Sequence, residues 1–285
     1  MRKGITRIPS PYDLNAIMPF LMKRRCDSQV FYNVDFNVEP LSAHLEKTRR
    51  CTFFQAMLLA LVKTMRRRPG LNRFIIGRRL YQREDLDISF VARRSLTDEG
   101  SETSIKMRIK ADDDDDMILK KITGHIGEAK EGAVKGDDKL IAFLVRLPRF
   151  MLRIVVSILT WLDFHLILPK DIEILDPLHC SAFIANLGSV GIEAPFHHLY
   201  EWGTCSLFVA IGKIGDKPAA DGAGGIKLKK MVEVKVTLDE RIADGYYFAR
   251  ALDIFKEYIE HPETLFAQGA DHNSNKQEGD LNESV

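Results

Sequence analysis

One segment decides more than any other what this chain can fold into. Phe150–Pro169 reads FMLRIVVSILTWLDFHLILP and is nearly all apolar. Its longest uncharged run, Ile154–Leu162, has nine residues, about half of the roughly 20 that a membrane-spanning helix needs. Arg146, Arg149 and Arg153 precede the run and Asp163 interrupts it. The segment therefore reads as a helix or helical hairpin buried in the core or a subunit interface. A helix lying on a membrane surface is the second reading, because arginines beside an apolar face also suit that place. The remainder is ordinary: 45% hydrophobic and 28% charged over 285 residues, enough to bury a full core in one large or two small domains. With 41 Lys and Arg against 40 Asp and Glu, the net charge of +1 gives no electrostatic hold on nucleic acid. The four cysteines lack CxxC spacing, so neither a zinc knuckle nor a disulfide framework is indicated. The N-terminal MRKGITRIPSPYDLN has no apolar signal region, and a cytoplasmic location is expected.

Periodicity organises the rest. Residues 1–15, part of a proline-containing stretch to about residue 25, read as an irregular lead-in. Val30–Val38 alternates as a strand does. Thr52 then caps TFFQAMLLALVKTMRRRPG, an amphipathic helix stopped by Pro69-Gly70. Strands are expected at Phe74–Ile76, Leu86–Val91, Thr103–Ile109, Ser181–Leu187, Ser206–Ile211 and Met231–Leu238. The run Asp112–Asp116 precedes MILKKITGHIGEAKEG, where aspartates cap a helix start and complement its dipole. Ala243–Tyr258 is apolar at helical spacing, and the polar stretch from residue 267 to 285 reads as a disordered tail. The order of elements predicts an α/β fold with helices covering a mixed sheet.

Three stretches in this order are similar to one family. FQAMLLALVKTMRRRPGLN (Phe54–Asn72) resembles the long helix and following "hP-x-LN" of the catalytic domain of 2-oxoacid dehydrogenase acyltransferases. FIANLGSVG (Phe183–Gly191) resembles their "FTISNLGxxG", and TLDERIADG (Thr237–Gly245) their "DHRxxDG". The resemblance spans Ala16 to Glu263 and implies the two-layer sandwich of chloramphenicol acetyltransferase, assembled as a homotrimer with active sites between subunits. The expected organisation is an acyltransferase-like domain over residues 16–266, with an apolar helical insertion at 147–170. No lipoyl or subunit-binding module is expected ahead of it.

The resemblance also implies a chemistry: acyl transfer from coenzyme A, or acyl-coenzyme A as co-substrate, to a thiol or hydroxyl acceptor. In the family a histidine takes the acceptor proton, a serine donates to the tetrahedral oxyanion, and the final aspartate makes a structural ion pair. Here Glu240 stands at the histidine position and Ala185 at the serine position, while Asp239, Arg241, Asp244 and Gly245 match. Glu240 is a base candidate if burial raises its affinity for a proton, or it ion-pairs with a neighbour such as Arg241. His197 and His198 are substitute imidazoles, Asp244 the retained aspartate, and His179-Cys180 an adjacent pair of nucleophile type. Asn186 in the NLG turn, and Arg66, Arg67 and Arg68 in a basic stretch from Lys63 to Arg83, are candidates for holding coenzyme A. The same arginines can instead face Asp112–Asp116. No residue set has metal-ligand spacing, and no metal is expected. A non-catalytic trimeric binding or scaffold protein is the alternative to an enzyme.

Overall fold

The computed structural model describes residues 4–9, 14–93, 102–130, 146–220 and 224–267. Of the 267–285 stretch expected as a disordered tail, all but Ala267 lies outside these. Six strands form the main sheet: β2 (Gln29–Asn37), β5 (Leu86–Arg93), β6 (Glu102–Ile109), β7 (Ala182–Asn186), β8 (Leu207–Ala220) and β9 (Ile226–Asp239). Their order is β2-β9-β8-β7-β5-β6. β7 runs parallel to both neighbours and the other pairs are antiparallel. A strand held parallel on both sides is normally covered on both faces, and AFIAN is apolar up to its last residue, Asn186, with the first three buried.

One face of the sheet carries the main core. Val232, Val234, Val236 and Leu238 of β9 point into it and meet helices α2 (Glu39–Thr48), α3 (Phe53–Arg67) and α7 (Gly245–Glu260). Helix α4 (Asp115–Lys130) joins through Ile118 and Ile122. α3 is the central helix, buried without interruption from Gln55 to Met65. It opens with a capping box in which Thr52 Oγ1 accepts from the Gln55 amide and the Gln55 side chain accepts from the Thr52 amide. On the opposite face, segments 178–180 and 194–205 cover β7 and β8 around Phe183, Phe208 and Ala210, with Val91 of β5 at the edge of the cluster. This is the two-layer α/β sandwich the sequence implies.

The structure departs from the sequence reading in four places. The lead-in is not wholly irregular: β1 (Ile5–Arg7) and α1 (Leu14–Leu21, with Pro19 inside) are regular. β1 pairs with an unexpected β4 (Arg79–Arg83), which also pairs β3 (Arg73–Ile76). The β3–β4 turn is Gly77-Arg78, both with positive φ (54° and 59°), the geometry that a two-residue hairpin loop demands. β8 and β9 run several residues past the expected strands as a ribbon paired only to itself, with an irregularity between Ile211 and Ile214. Finally, the apolar segment is not in the core. It forms α5 (Arg149–Phe164), followed by α6 (Lys170–Leu175), and α5 leaves Phe150, Ile154, Ile158 and Trp161 more than half exposed. The reason is that α3 and α7 already cover the sheet, so α5 has only its inner edge to bury. No helix among the described residues is long and apolar enough to cross a membrane.

Candidate active site

The turn after β9 is built around a buried charge pair. Asp239 is 0% exposed, and Arg241 meets it with two bonds, Nε to Oδ1 at 2.8 Å and Nη2 to Oδ2 at 2.7 Å. Ser28 Oγ donates to the same carboxylate at 3.0 Å, and Arg241 Nη1 donates to the Met22 carbonyl at 2.9 Å. Every guanidinium nitrogen and both carboxylate oxygens are hydrogen-bonded, as a buried ion pair requires. Among the described residues Asp244 joins no ion pair. Its Oδ1 accepts from the Tyr247 amide at 2.7 Å and so caps α7. Between these anchors Glu240 is exposed; its amide donates to the Ser28 carbonyl at 2.9 Å. The Glu240 carboxylate has no hydrogen-bond or ion-pair partner among the described residues, because Arg241, the partner offered for it, is taken by Asp239.

The NLG segment is shaped by packing. β7 ends at Asn186, whose carbonyl accepts from Ser189 Oγ at 2.7 Å, and Gly191 closes the turn at φ 78°. A methyl group on Gly188 would lie 2.5 Å from the Gly212 carbonyl oxygen, so only glycine lets this turn cross β8. Ala185 lies beside Ala210, half-buried on the same sheet face as Phe183 and Phe208. It presents no hydroxyl.

His197 lies over that face. Its ring stacks on Phe208 with centroids 3.9 Å apart, and its carbonyl accepts from Thr237 Oγ1. His197 Nδ1 is 2.7 Å from the His198 carbonyl. A carbonyl can only accept, so Nδ1 carries the proton and Nε2 keeps its lone pair. Burial holds this imidazole below its ordinary value and outweighs the bond to His198, which keeps the ring neutral near pH 7. His198 is exposed, with Nδ1 against the Leu199 carbonyl.

Register separates the two substituted positions. Ala185 pairs with Ala210 and Ala210 with Lys235, so Glu240 lies two strands across and five residues along, on the order of 20 Å away. A single chain therefore does not bring Glu240 and Ala185 together. His197 is the candidate base that shares the Ala185 face.

The three arginines diverge. Arg66 Nη2 donates to the Lys110 carbonyl at 2.8 Å, at the edge of a cavity of about 670 Å³ shared with Asp112–Asp116. Arg67 reaches Glu257 at 3.9 Å, and Arg68 lies over the Tyr247 ring at 3.8 Å. The aspartates are largely engaged: Asp113 with Lys121, Asp115 with Lys63, Asp116 with Arg50, while Asp114 caps α4 through the Met117 amide. The PGLN sequence between arginines and β3 is structural. The Gly70 amide donates to the Tyr247 hydroxyl at 2.8 Å, and Asn72 Nδ2 donates to the carbonyls of Arg83 and Asp85.

His179 does not pair with Cys180. Its Nδ1 faces Asp176 Oδ2 at 2.5 Å and its Nε2 faces Asp163 Oδ1 at 3.0 Å, with the Trp202 ring edge-on at 5.4 Å. Trp202 Nε1 also donates to Asp176. Burial pushes the imidazole down, but the two carboxylates together hold it above its ordinary value. Sequence reasoning missed this Asp–His–Asp cluster, which ties α5 to the body of the protein. The only local signal was the Asp176–His179 spacing, since Asp163 arrives from a different helix.

Comparison with known proteins agrees with this architecture. Residues 178–267 match the family model for 2-oxoacid dehydrogenases acyltransferase (catalytic domain). A similar curated protein is the dihydrolipoyllysine-residue acetyltransferase component of the mitochondrial pyruvate dehydrogenase complex of Caenorhabditis elegans, 35% identical over 82 residues. That alignment covers 29% of this chain and 16% of the nematode protein. Among solved structures, a probable dihydrolipoamide acetyltransferase from Listeria monocytogenes superposes with a TM-score of 0.56 at 13% identity, covering 90% of this chain and 94% of that one. The cubic core of the pyruvate dehydrogenase multienzyme complex gives 0.58 at 13% identity, covering 91% and 95%. A chloramphenicol acetyltransferase gives 0.51 at 11% identity, covering 90% and 98%. The described residues thus have a chloramphenicol acetyltransferase-like fold, and residues 178–267 match the family model for the 2-oxoacid dehydrogenase acyltransferase catalytic domain.

Proposed function

We propose that the protein is a coenzyme A-dependent acyltransferase of the 2-oxoacid dehydrogenase acyltransferase type, working as a homotrimer with altered acid–base groups. One observation carries this reading: the DERIADG turn is locked by the buried Asp239–Arg241 pair and the Asp244 cap, and presents Glu240 with its carboxylate uncommitted. In the reaction, Glu240 takes the proton of a thiol or hydroxyl acceptor as that atom attacks the thioester carbonyl. The carbon–sulfur bond then breaks and the leaving coenzyme A thiolate recovers the proton. The separation of Glu240 from Ala185 supports a site shared between subunits, where Glu240 of one copy faces the Ala185 and His197 surface of another. Arg66 to Arg68 and Asn186 are the candidates for holding the coenzyme A portion, although Arg66 already shares its cavity with five aspartates. The test is acetyl-coenzyme A binding by calorimetry together with acyl transfer to dihydrolipoamide. Glu240→Gln should abolish turnover while leaving binding and folding intact; a variant with full rate would remove Glu240 from the mechanism.

Ala185 favours a second reading. Where the family places a hydroxyl donor there is only a methyl group, and loss of one oxyanion donor typically costs about 2.7–4 kcal/mol of transition-state stabilisation. The alternative is a non-catalytic trimer that binds an acyl ligand or acts as a scaffold. It expects no turnover in the natural protein. Activity regained by Glu240→His with Ala185→Ser would show that the substrate site is intact and only the chemistry is lost.

A further inference from the structure

α5 is apolar on more than its exposed face. Its inner edge roofs a cavity of about 680 Å³ whose other walls come from the β3–β4 turn and from segments 172–177 and 201–203. The volume lies within the range of pockets that hold small organic ligands, roughly 300–1,000 Å³. Ile75, Ile76, Val156, Leu159, Ile172 and Leu175 supply apolar walls. This cavity is distinct from the Ala185 and His197 face.

Its polar groups are unevenly satisfied. Asp163 and Asp176 line the cavity but are bound to His179, and Arg241 is bound to Asp239. The Glu201 carboxylate accepts from the Cys26 amide at 2.9 Å. Arg25 is different. It is only 5% exposed, and its guanidinium donates to the carbonyls of Tyr200, Glu201 and Ile75, which bring no countercharge. Its Nε is buried without any hydrogen-bond partner. Among the described residues no carboxylate is hydrogen-bonded to Arg25; burial works against its charge, and the nearby but unbonded Asp239 and Glu201 carboxylates offset this only in part. Lys23 and Arg78, both exposed, add positive charge to the lining. A buried cation without a bonded counter-ion is costly, and an anionic group entering an otherwise apolar cavity would relieve it.

We propose that this cavity binds an anionic amphiphile, an unbranched acyl chain ending in a carboxylate or phosphate oxygen, with the chain under α5 and the anionic head at Arg25. The shape and the charge ask for the same ligand: apolar walls for the chain, and three cations of which one is buried. Such a ligand can come as a free fatty acid or as an anionic lipid drawn from a bilayer. The proposal does not depend on the acyl-transfer reading, because it is argued from the cavity under α5 and Arg25 alone, which meets the DERIADG turn only through Arg241.

The test uses the full chain and palmitate, with 1-hexadecanol as the uncharged control, followed by calorimetry and by the shift in melting temperature. The expected result is saturable binding of one palmitate per chain, with hexadecanol weaker by about tenfold or more. Leu159→Trp fills the cavity and should abolish binding. Arg25→Gln should weaken palmitate by about tenfold and leave hexadecanol unchanged. If Arg25→Gln fails to fold, the exposed pair Lys23→Gln and Arg78→Gln serves instead and should lower palmitate affinity several-fold. Flotation with phosphatidylglycerol vesicles separates the two sources. Palmitate binding without flotation identifies a free fatty acid, and flotation that Leu159→Trp abolishes identifies a bilayer lipid. Absence of both, equal affinity for palmitate and hexadecanol, or a Leu159→Trp variant that binds as the natural protein does would overturn the proposal.

Discussion

At the residue scale, the family-like turns of this chain are held by contacts that have nothing to do with proton transfer. Asp239 and Arg241 are the clearest case. Arg241→Leu leaves a carboxylate buried with Ser28 as its remaining side-chain donor, and such an uncompensated charge typically costs about 3–5 kcal/mol; urea unfolding should show the loss directly. Glu240→Gln, one residue earlier and exposed, should fall within about 0.5 kcal/mol of the natural protein. Asp244→Ala removes the α7 cap and should cost about 1 kcal/mol. These values rank three neighbouring acidic-turn positions by burial rather than by motif. The motif resemblance sets Glu240 and Ala185 at the positions where the family has its histidine and serine. It did not show that Arg241 is committed to Asp239, because that buried pair is completed by Ser28 and Met22, more than 200 residues earlier in the chain.

At the scale of elements, α5 shows where sequence patterning stops being informative. Its helical nature was legible from composition and length, yet burial depends on which surfaces other helices have already taken. The covering of the sheet by α3 and α7 is a property of the assembled fold. What attaches α5 is therefore small, and the Asp163–His179–Asp176 cluster is a large part of it. His179 is held above its ordinary 6.5, so its contribution is complete below about pH 6.5 and is lost as pH rises through the raised value. Asp176 is the reverse case. Burial pushes it up, but the bonds from His179, Leu178 and Trp202 hold it below its ordinary 3.8. Its contribution is present above that value and is lost as pH falls through the depressed one. Attachment of α5 should be firmest between about pH 4 and 6.5. The protection of the α5 amides against hydrogen exchange, rates taken relative to the intrinsic base-catalysed rate, should fall on the alkaline side, and His179→Gln should remove that fall. Ile158→Gln on the outer face should leave the melting temperature nearly unchanged, since that side chain is 52% exposed.

At the scale of the whole molecule, one side of the sheet is finished and the other is not. The helix face is closed by α2, α3, α4 and α7, whereas on the opposite face the described residues build only a small cluster, centred on β7 and β8. Phe31 of β2 and Phe196 meet edge-on at 5.6 Å there, yet remain 45% and 50% exposed. A homotrimer is the expected state, and light scattering should return three copies per particle. Phe31→Glu should shift the protein toward monomer while the helix-face core, and so the circular dichroism spectrum, stays as it was. The fold class and most strands were readable from alternation and from three ordered motifs. The β3–β4 hairpin and the long β8–β9 ribbon were not, because GKIGDKPAA and RLYQR carry the glycine, proline and charge that normally mark loops, and only mutual pairing makes them strands.

The crossing at Gly188 has a consequence for how ancestry and activity separate. Its missing side chain is demanded by a main-chain oxygen 2.5 Å from where a methyl carbon would sit, and this demand is indifferent to whether a reaction takes place nearby. A lineage can therefore drop the serine and the histidine in a few substitutions while selection against misfolding keeps NLG and DG intact. Signatures of this kind record descent and architecture for longer than they record chemistry, so the informative letters for turnover are the replaceable ones between them.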